Sequence, residues 1–282
     1  MRLLLFAVLV SLFAAVGFSS CTTVLNEAEL SYQEQIVLSA VLTVGDTVRN
    51  IHVMRSAPPL GRIDYAQHGL PDAKVTLLLD GSPVATRCQT VLPAIGAQGL
   101  NPDKRTFFEA PSVIVRTGQR YDIIVEWSGK RITASTVIPA APTVVGYQVM
   151  DVLTNSGNLW RYLQVVVRPR NGEAYSVFAE SFFITPRNPN PSPSFAEDPA
   201  AVQNPLAPAD TMQVRSLVSL GSSSPQDTTR YFARAVAYDA PFAAYSQSLR
   251  NGSTFVRWNV QGDGIGIFVG AAVGERRAVP YR

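Results

Sequence analysis

Along most of this chain apolar and polar residues alternate with a period of two. The clearest case is the segment Tyr121–Trp127, where Tyr121, Ile123, Val125 and Trp127 share one face while Asp122, Glu126 and Ser128 share the other, with Ile124 the exception. That pattern is a half-buried antiparallel strand. Similar short runs, rich in β-branched residues, lie at Ile36–Leu42, Val48–Met54, Lys74–Leu79, Val84–Ala85 and Ile132–Ile138. Asp80-Gly81 sits between two of them and predicts a tight hairpin, because both residues tolerate the positive φ that the turn needs. Residues 57–70 read as irregular and 88–105 as a loop. Residues 35–140 therefore hold about seven short strands with no helical period, which predicts a β-sandwich.

The second half starts with three runs, Val144–Val152, Leu159–Arg168 and Ala174–Ile184, the last two joined by a turn at Asn171-Gly172. Residues 186–210 carry seven prolines, which rule out a helix or a central strand and predict a long surface loop. Strand patterns resume at Met212–Leu220 and Tyr231–Tyr238. Ala240–Arg250 is the one helix: Pro241 is near its start, Phe242, Tyr245 and Leu249 form one stripe, and Asn251-Gly252 stops it. Val256–Val260 and Ile265–Ala272 read as closing strands. The expectation is a mainly β protein: an N-terminal sandwich over 35–140 and a second β-rich domain with one short helix over 141–282, with the Pro-rich loop 186–210 an excursion from it.

The chain's start is patterned differently. Arg2 precedes an almost unbroken apolar run, Leu3–Phe18, and small residues lead to Cys21. A basic tip, a short apolar core and a small-residue end make a secretory signal peptide over 1–20. The core is short for a bilayer crossing, which takes about 20 apolar residues. Phe18-Ser19-Ser20-Cys21 resembles the lipobox of bacterial lipoproteins, which implies that Cys21 is acylated and becomes the new N-terminus. Thr22, where an aspartate would resemble the inner-membrane retention signal of enteric bacteria, points to the outer membrane. Residues 21–34 are polar and acidic and read as a flexible tether, so the membrane is reached through lipid.

Composition changes this picture in three places. Charged residues are only 16% against 46% hydrophobic, so a packed core is expected and disorder is not. The net charge of +3 is spread without a basic cluster, so no nucleic-acid partner is expected. With Cys21 lipidated, Cys88 has no intrachain partner, and two histidines with two cysteines form no metal-ligand spacing, so neither disulfide, metal nor cofactor is expected.

Two strands and the chain's end resemble known families. Pro71-Asp72-Ala73-Lys74-Val75-Thr76-Leu77, followed by Gly118-x-x-Tyr121-x-Ile123-x-Val125, is similar in order and spacing to strands of transthyretin-like and carboxypeptidase-regulatory-like modules. That resemblance implies an Ig-like N-terminal sandwich. The lipobox, the run Glu34–Ala40, the Tyr-bearing helix and Asn259-Val260-Gln261-Gly262-Asp263-Gly264-Ile265-Gly266-Ile267-Phe268 together resemble the Bacteroidetes lipoproteins of the uncharacterised DUF4249 family. Members often accompany outer-membrane TonB-dependent transporters, and the resemblance implies such a partner.

No catalytic constellation is visible. Gly262-x-Gly264-x-Gly266-x-x-x-Gly270 is not followed by a helical pattern and reads as a turn entering an edge strand, not a nucleotide loop. Neither His52 nor His68 stands at a known catalytic spacing from a cysteine, serine or acid in the sequence, and no G-x-S-x-G elbow is present. Trp160 and Trp258, near strand ends, are candidate stacking residues for a ligand, whereas Trp127 lies on a core face. Asp46-Thr47-Val48, Asp210-Thr211-Met212 and Asp227-Thr228-Thr229 resemble the O-glycosylation acceptor of Bacteroidetes, with Thr47, Thr211 and Thr228 as acceptors. The expected function is a non-enzymatic envelope lipoprotein that binds a partner, foremost an outer-membrane transporter. The alternatives are a glycan- or peptide-binding surface lipoprotein and, further down, a hydrolase.

Overall fold

Strand β1 (Ile36–Thr43) buries alternate residues, Ile36, Leu38, Ala40 and Leu42. Gly45, at φ +87°, turns the chain into β2 (Thr47–Arg55), which pairs back antiparallel. The computed structural model describes residues 32–58, 68–91, 105–153, 157, 159–185, 188, 194–197, 211–218, 228–250, 256 and 258–280. The expected signal peptide, Cys21, most of the tether and most of the Pro-rich loop lie outside the described residues. Among the described residues no helix is long and apolar enough to cross a membrane.

The sheet continues from β2 to β6 (Arg105–Ile114) and then to β5 (Arg87–Val91). Against it packs a five-stranded sheet in the order β15 (Gln261–Gly262), β8 (Lys130–Val137), β7 (Arg120–Trp127), β3 (Lys74–Leu79) and β4 (Ser82–Val84). The β3–β4 turn is Asp80-Gly81, both residues at positive φ, as the sequence predicts. The core between these sheets includes Leu77, Tyr121, Ile123, Ile132 and Ile138 on one side and Ile36, Leu38, Leu42 and Ile51 on the other, with Phe108 and Phe268. Trp127 packs partly buried against it, its indole N–H donating to Asp72 Oδ2 at 3.2 Å.

A second sandwich follows. β9 (Thr143–Leu153), β10 (Leu159–Arg168) and β13 (Met212–Val218) form a three-stranded sheet with β10 in the middle. It covers β11 (Ala174–Ile184) and β14 (Thr228–Tyr238), with Leu163, Val165 and Val167 packed on Tyr175, Val177, Tyr231 and Ala235. Helix α1 (Ala240–Arg250) covers the opposite face of the same strands through Ala243 against Ala174, Val236 and Tyr238. Strand β11 is thus buried on both faces, and from Ala174 to Ser181 every residue but Phe178 is buried.

One strand joins the two cores. β16 (Gly264–Val273) runs parallel to β1 over eight paired residues, from Ile36↔Gly264 to Thr43↔Ala271, and pairs antiparallel with β14 at Val236↔Val273 through Tyr238↔Ala271. The result is one long sheet, β12 (Ser194–Glu197), β11, β14, β16, β1, β2, β6, β5, with β17 (Arg277–Val279) also paired to β14. Residues 261–273, which the sequence groups with the second domain, thus pair with β8 and β1 of the first, and Phe268 is buried in the first core.

Other expectations differ in detail. Arg87–Val91, which overlaps the start of the expected loop 88–105, is an edge strand with little apolar sequence to announce it. β6 contains Pro111, and the ladder with β2 is irregular there, shifting between Ile51↔Phe108, Val48↔Ala110 and Thr47↔Ile114. Within the Pro-rich stretch, the proline-free run Ser194–Glu197 forms a strand on the edge of β11. The described residues of the expected strand Val256–Val260 do not form one. The Asn259 side chain takes that place, accepting from Phe268 N–H at 2.9 Å and donating to Phe268 C=O at 2.6 Å, so its amide substitutes for a neighbouring backbone. The Gly-rich run enters a central strand, not an edge. A Cβ on Gly266 would stand 1.9 Å from Leu38 O, and one on Gly264 2.2 Å from Ile36 O. Glycine is required there by the closeness of β1, with no phosphate involved.

Candidate functional site

The outer face of the β9–β10–β13 sheet is the most distinctive described surface. Residues of β10 alternate: Leu163, Val165 and Val167 enter the core, so Trp160, Tyr162, Gln164 and Val166 face outward. Cross-strand pairing sets their neighbours. Trp160 opposes Val152, Tyr162 lies between Met150 and Leu217, and Gln164 lies between Gln148 and Arg215. Trp160 is 44% exposed and its ring centroid stands 6.3 Å from that of Tyr162. Leu153 and Leu159, paired at the open end of the strands, are also exposed but lie on the other face of the sheet. Beside this apolar half runs a polar row of exposed Gln148, Gln213 and Arg215, where Arg215 Nε donates to Oε1 of the buried Gln164 at 2.7 Å and Nη2 to Gln213 Oε1 at 3.2 Å. Aromatic rings next to a row of amides and a guanidinium can stack on an apolar or planar group and hydrogen-bond its rim.

This face is held rigid from behind. Arg161, adjacent to Trp160, is buried and donates from Nε and Nη2 to the two carboxylate oxygens of Asp151 on β9, at 2.6 and 2.8 Å. Its Nη1 donates to the Tyr231 hydroxyl on β14 at 2.9 Å. The bidentate carboxylate and the phenol hold the Arg161 guanidinium well above its ordinary pKa. One side chain thus ties β10 to β9 and to the long sheet, so Trp160 projects from a fixed strand.

Trp258 belongs to a different surface. Tyr238 stacks on Phe242 at 4.2 Å, Phe242 approaches Tyr245 at 6.1 Å, and Tyr245 approaches Trp258 at 5.4 Å. This aromatic series follows α1, on the opposite side of the long sheet from Trp160. The two tryptophans singled out by sequence are therefore not brought together, although both are partly exposed, Trp258 at 40%. Of the candidate glycosylation residues, Thr211 is exposed beside β13, Thr47 is half-buried at the start of β2, and Thr228 opens β14.

A cleft of about 570 Å³ lies where β8, the β10–β11 turn and the start of α1 meet, lined by Ser135, Thr136, Pro139, Arg170, Glu173 and Asp239 among others. Its polar groups are engaged with one another. Asp239 is 4% exposed and caps α1, its Oδ1 accepting from Phe242 N–H at 3.1 Å. Its Oδ2 accepts from Gly270 N–H at 3.0 Å and from the Thr136 hydroxyl. Burial pushes the Asp239 carboxyl up to about 6, against the pull of these donors. Arg170 Nη2 donates to Ala140 C=O at 2.6 Å and its Nε to Glu173 Oε2 at 3.0 Å, which fixes the connection between the two sandwiches. The cleft is a structural junction, and α1 offers no free anion site because Pro241 lacks an N–H and Asp239 takes that of Phe242.

A third polar group sits on β11 and β14. Glu180, nearly buried, accepts from Arg234 Nη2 at 2.9 Å and from Arg276 at 2.8 and 2.9 Å, while Arg276 lies 3.6 Å over the Phe232 ring. Burial pushes Glu180 up, but the two guanidinium groups outweigh it and hold the carboxyl below its usual range. Among the described residues no group of three or more His, Cys, Asp or Glu is placed to hold a metal ion.

Sequence reasoning marks Trp160 and Trp258 but misses Tyr162, Arg161 and Asp239. Asp239-Ala240-Pro241 ahead of a helix is a cap signal that could single out Asp239. Nothing local marks the Arg161–Asp151–Tyr231 contact.

No curated protein matches the chain. Among solved structures, the crystal structure of bovine butyrophilin is 11% identical over 89% of this chain and 100% of that chain, at a TM-score of 0.18. The family described as "Domain of unknown function (DUF4249)" matches residues 23–234, well over half the chain. The chain therefore belongs to the DUF4249 family.

Proposed function

We propose that this chain is a non-enzymatic accessory protein of the cell envelope, anchored through lipid on Cys21, that binds a protein partner, an outer-membrane TonB-dependent transporter. The observation that carries the reading is the outer face of β9–β10–β13, where Trp160 and Leu217 are each at least 40% exposed and the strand register sets Val152, Met150 and Tyr162 beside them. Contiguous exposed apolar surface bordered by polar residues marks interaction sites, and aromatic residues dominate their energetics. The lipobox-like start supports the anchoring half of the reading.

The Trp160–Tyr162 pair beside the exposed Gln148, Gln213 and Arg215 favours a second reading, a glycan-binding surface, because sugars stack on aromatic faces and hydrogen-bond to amides. One experiment addresses both. A photo-crosslinking amino acid is placed at Trp160 in cells, and the adduct is identified by mass spectrometry. The transporter reading expects a β-barrel transporter in the adduct and its loss from pull-downs with Trp160→Ala. An adduct with polysaccharide supports the second reading, and no adduct overturns both. Trp160→Ala should leave stability within about 0.5 kcal/mol of the parent, because the ring is exposed.

A further inference from the structure

Strand β9 is an edge of the three-stranded sheet, paired on one side to β10 and to no other described strand. β17 approaches it but pairs with β14. Natural edge strands are short, charged, proline-bearing or bulged, because a row of unpaired N–H and C=O groups otherwise recruits another strand. The other edges here follow that rule. β4 has three residues and includes Pro83, β5 has five and starts with Arg87, β12 has four, and β13 has seven with Arg215 at its centre. β9 does not. It has eleven residues, Thr-Val-Val-Gly-Tyr-Gln-Val-Met-Asp-Val-Leu, with no proline, lysine or arginine. Its single charge, Asp151, is already held by Arg161. Its one irregularity is the bulge opposite Val166 and Val167 of β10, which leaves 146–153 in regular pairing.

We infer that β9 is a self-pairing edge, so that two copies of this chain join through antiparallel β9 strands about a two-fold axis. Direct cross-strand partners must lie on the same sheet face, since a slip of one residue exchanges inner and outer faces. The axis must therefore pass through a residue, not between two. Centring it on Val149 places Tyr147 opposite Asp151 and Val149 opposite itself on the inner face, with Gln148 opposite Met150 and Gly146 opposite Val152 on the outer face. No like charges meet. The Tyr147 hydroxyl comes beside the single carboxylate, and the small Gly146 leaves room for Val152. The neighbouring centres fit less well. With Met150 on the axis, Asp151 faces Val149 and its carboxylate has no polar group opposite. With Gln148 on the axis, Asp151 faces Val145, the residue left over at the bulge. Joined about Val149, the two three-stranded sheets become one of six strands, with a Trp160 on each half of a continuous outer face. This inference is independent of what that face binds.

The test uses cysteine cross-linking in cells of the full chain carrying Cys88→Ser, with that background alone as control. Opposed residues in an antiparallel pair have Cα atoms about 4.5–5.5 Å apart, within the roughly 4.4–6.8 Å that a disulfide spans. Val149→Cys should give a disulfide-linked dimer on mild oxidation. Co-expressed Gln148→Cys and Met150→Cys chains should link to each other more readily than either links to itself. Sedimentation of the detergent-solubilised Cys88→Ser chain should give twice the chain mass. A monomer with no linkage at position 149 overturns the inference. So does a dimer that links through Arg215→Cys on β13 instead, or a Val149→Cys adduct to a different protein.

Discussion

Asp239 shows how one residue can hold three elements together and leave a measurable trace. Its backbone N–H donates to Gly270 C=O at 3.1 Å, its carboxylate takes Gly270 N–H, and the same carboxylate caps α1 and accepts from Thr136 on β8. The group is buried, so the charged form is disfavoured and the carboxyl rises from 3.8 to about 6. The fold therefore holds this proton more tightly than the unfolded chain does. The stability that this residue contributes through protonation is fully present below its ordinary pKa of 3.8 and is lost as pH rises through about 6. A tenfold change in proton affinity is worth about 1.4 kcal/mol, which makes the whole span of order 3 kcal/mol. Other groups, such as Glu180 with its lowered pKa, lose stability on acidification and oppose it. The difference between parent and variant isolates the effect. In urea titrations from pH 7 to pH 4, the gap in stability between the parent and Asp239→Asn should shift in the parent's favour as pH falls, because asparagine keeps the cap but binds no proton. A gap that stays constant across that range would refute the assignment.

At the level of elements, strands with local turns and clean alternation are legible in the sequence and those completed from afar are not. β7 and β8 can be read from Tyr121–Trp127 and the Ser128-Gly129 turn, and the sequence bounds α1 at Ala240–Arg250, as found. The stripe of α1 is less well read: Ala243, Ser246 and Ser248 are buried, while Leu249 is 52% exposed. Small residues seat this helix closely on β11 and β14, and small residues carry little hydrophobic signal. Trp160 stands out in the sequence, but the surface around it depends on Val152, Met150 and Leu217, which only the strand register brings alongside. Segment 256–260 misleads because its apolar residues suggest a strand, whereas Asn259 uses its side chain to pair with both polar groups of Phe268. Removing that amide leaves the Phe268 N–H and C=O without those partners. Asn259→Ala should therefore cost about 2 kcal/mol in chemical denaturation. Its signature should be faster amide exchange at Phe268 than at Leu77 in the same core, and equal protection at both sites would contradict the role given to Asn259.

For the whole molecule, the decisive feature is the parallel pairing of β1 with β16. The two strands are separated by more than two hundred residues, and no turn chemistry announces their contact. Gly264 and Gly266 carry the only local trace, since any side chain there would meet the backbone of β1. The consequence is that residues 35–140, with seven expected strands and their own apolar alternation, do not include all of their own sheet. Without β16 the first sandwich loses an eight-residue ladder along β1 and the fully buried Phe268, and without β15 it loses the end of the facing sheet at β8. Losing a buried phenylalanine alone costs about 3–5 kcal/mol, comparable to the whole stability of a small domain. A fragment of residues 35–140 expressed alone should therefore fail to give a cooperative melt. The intact chain should unfold in one transition by both far- and near-ultraviolet circular dichroism, because β16 belongs to both cores through β1 and β14. Two separated transitions, or a 35–140 fragment that melts cooperatively, would show that the first sandwich closes without the strand from the chain's far end.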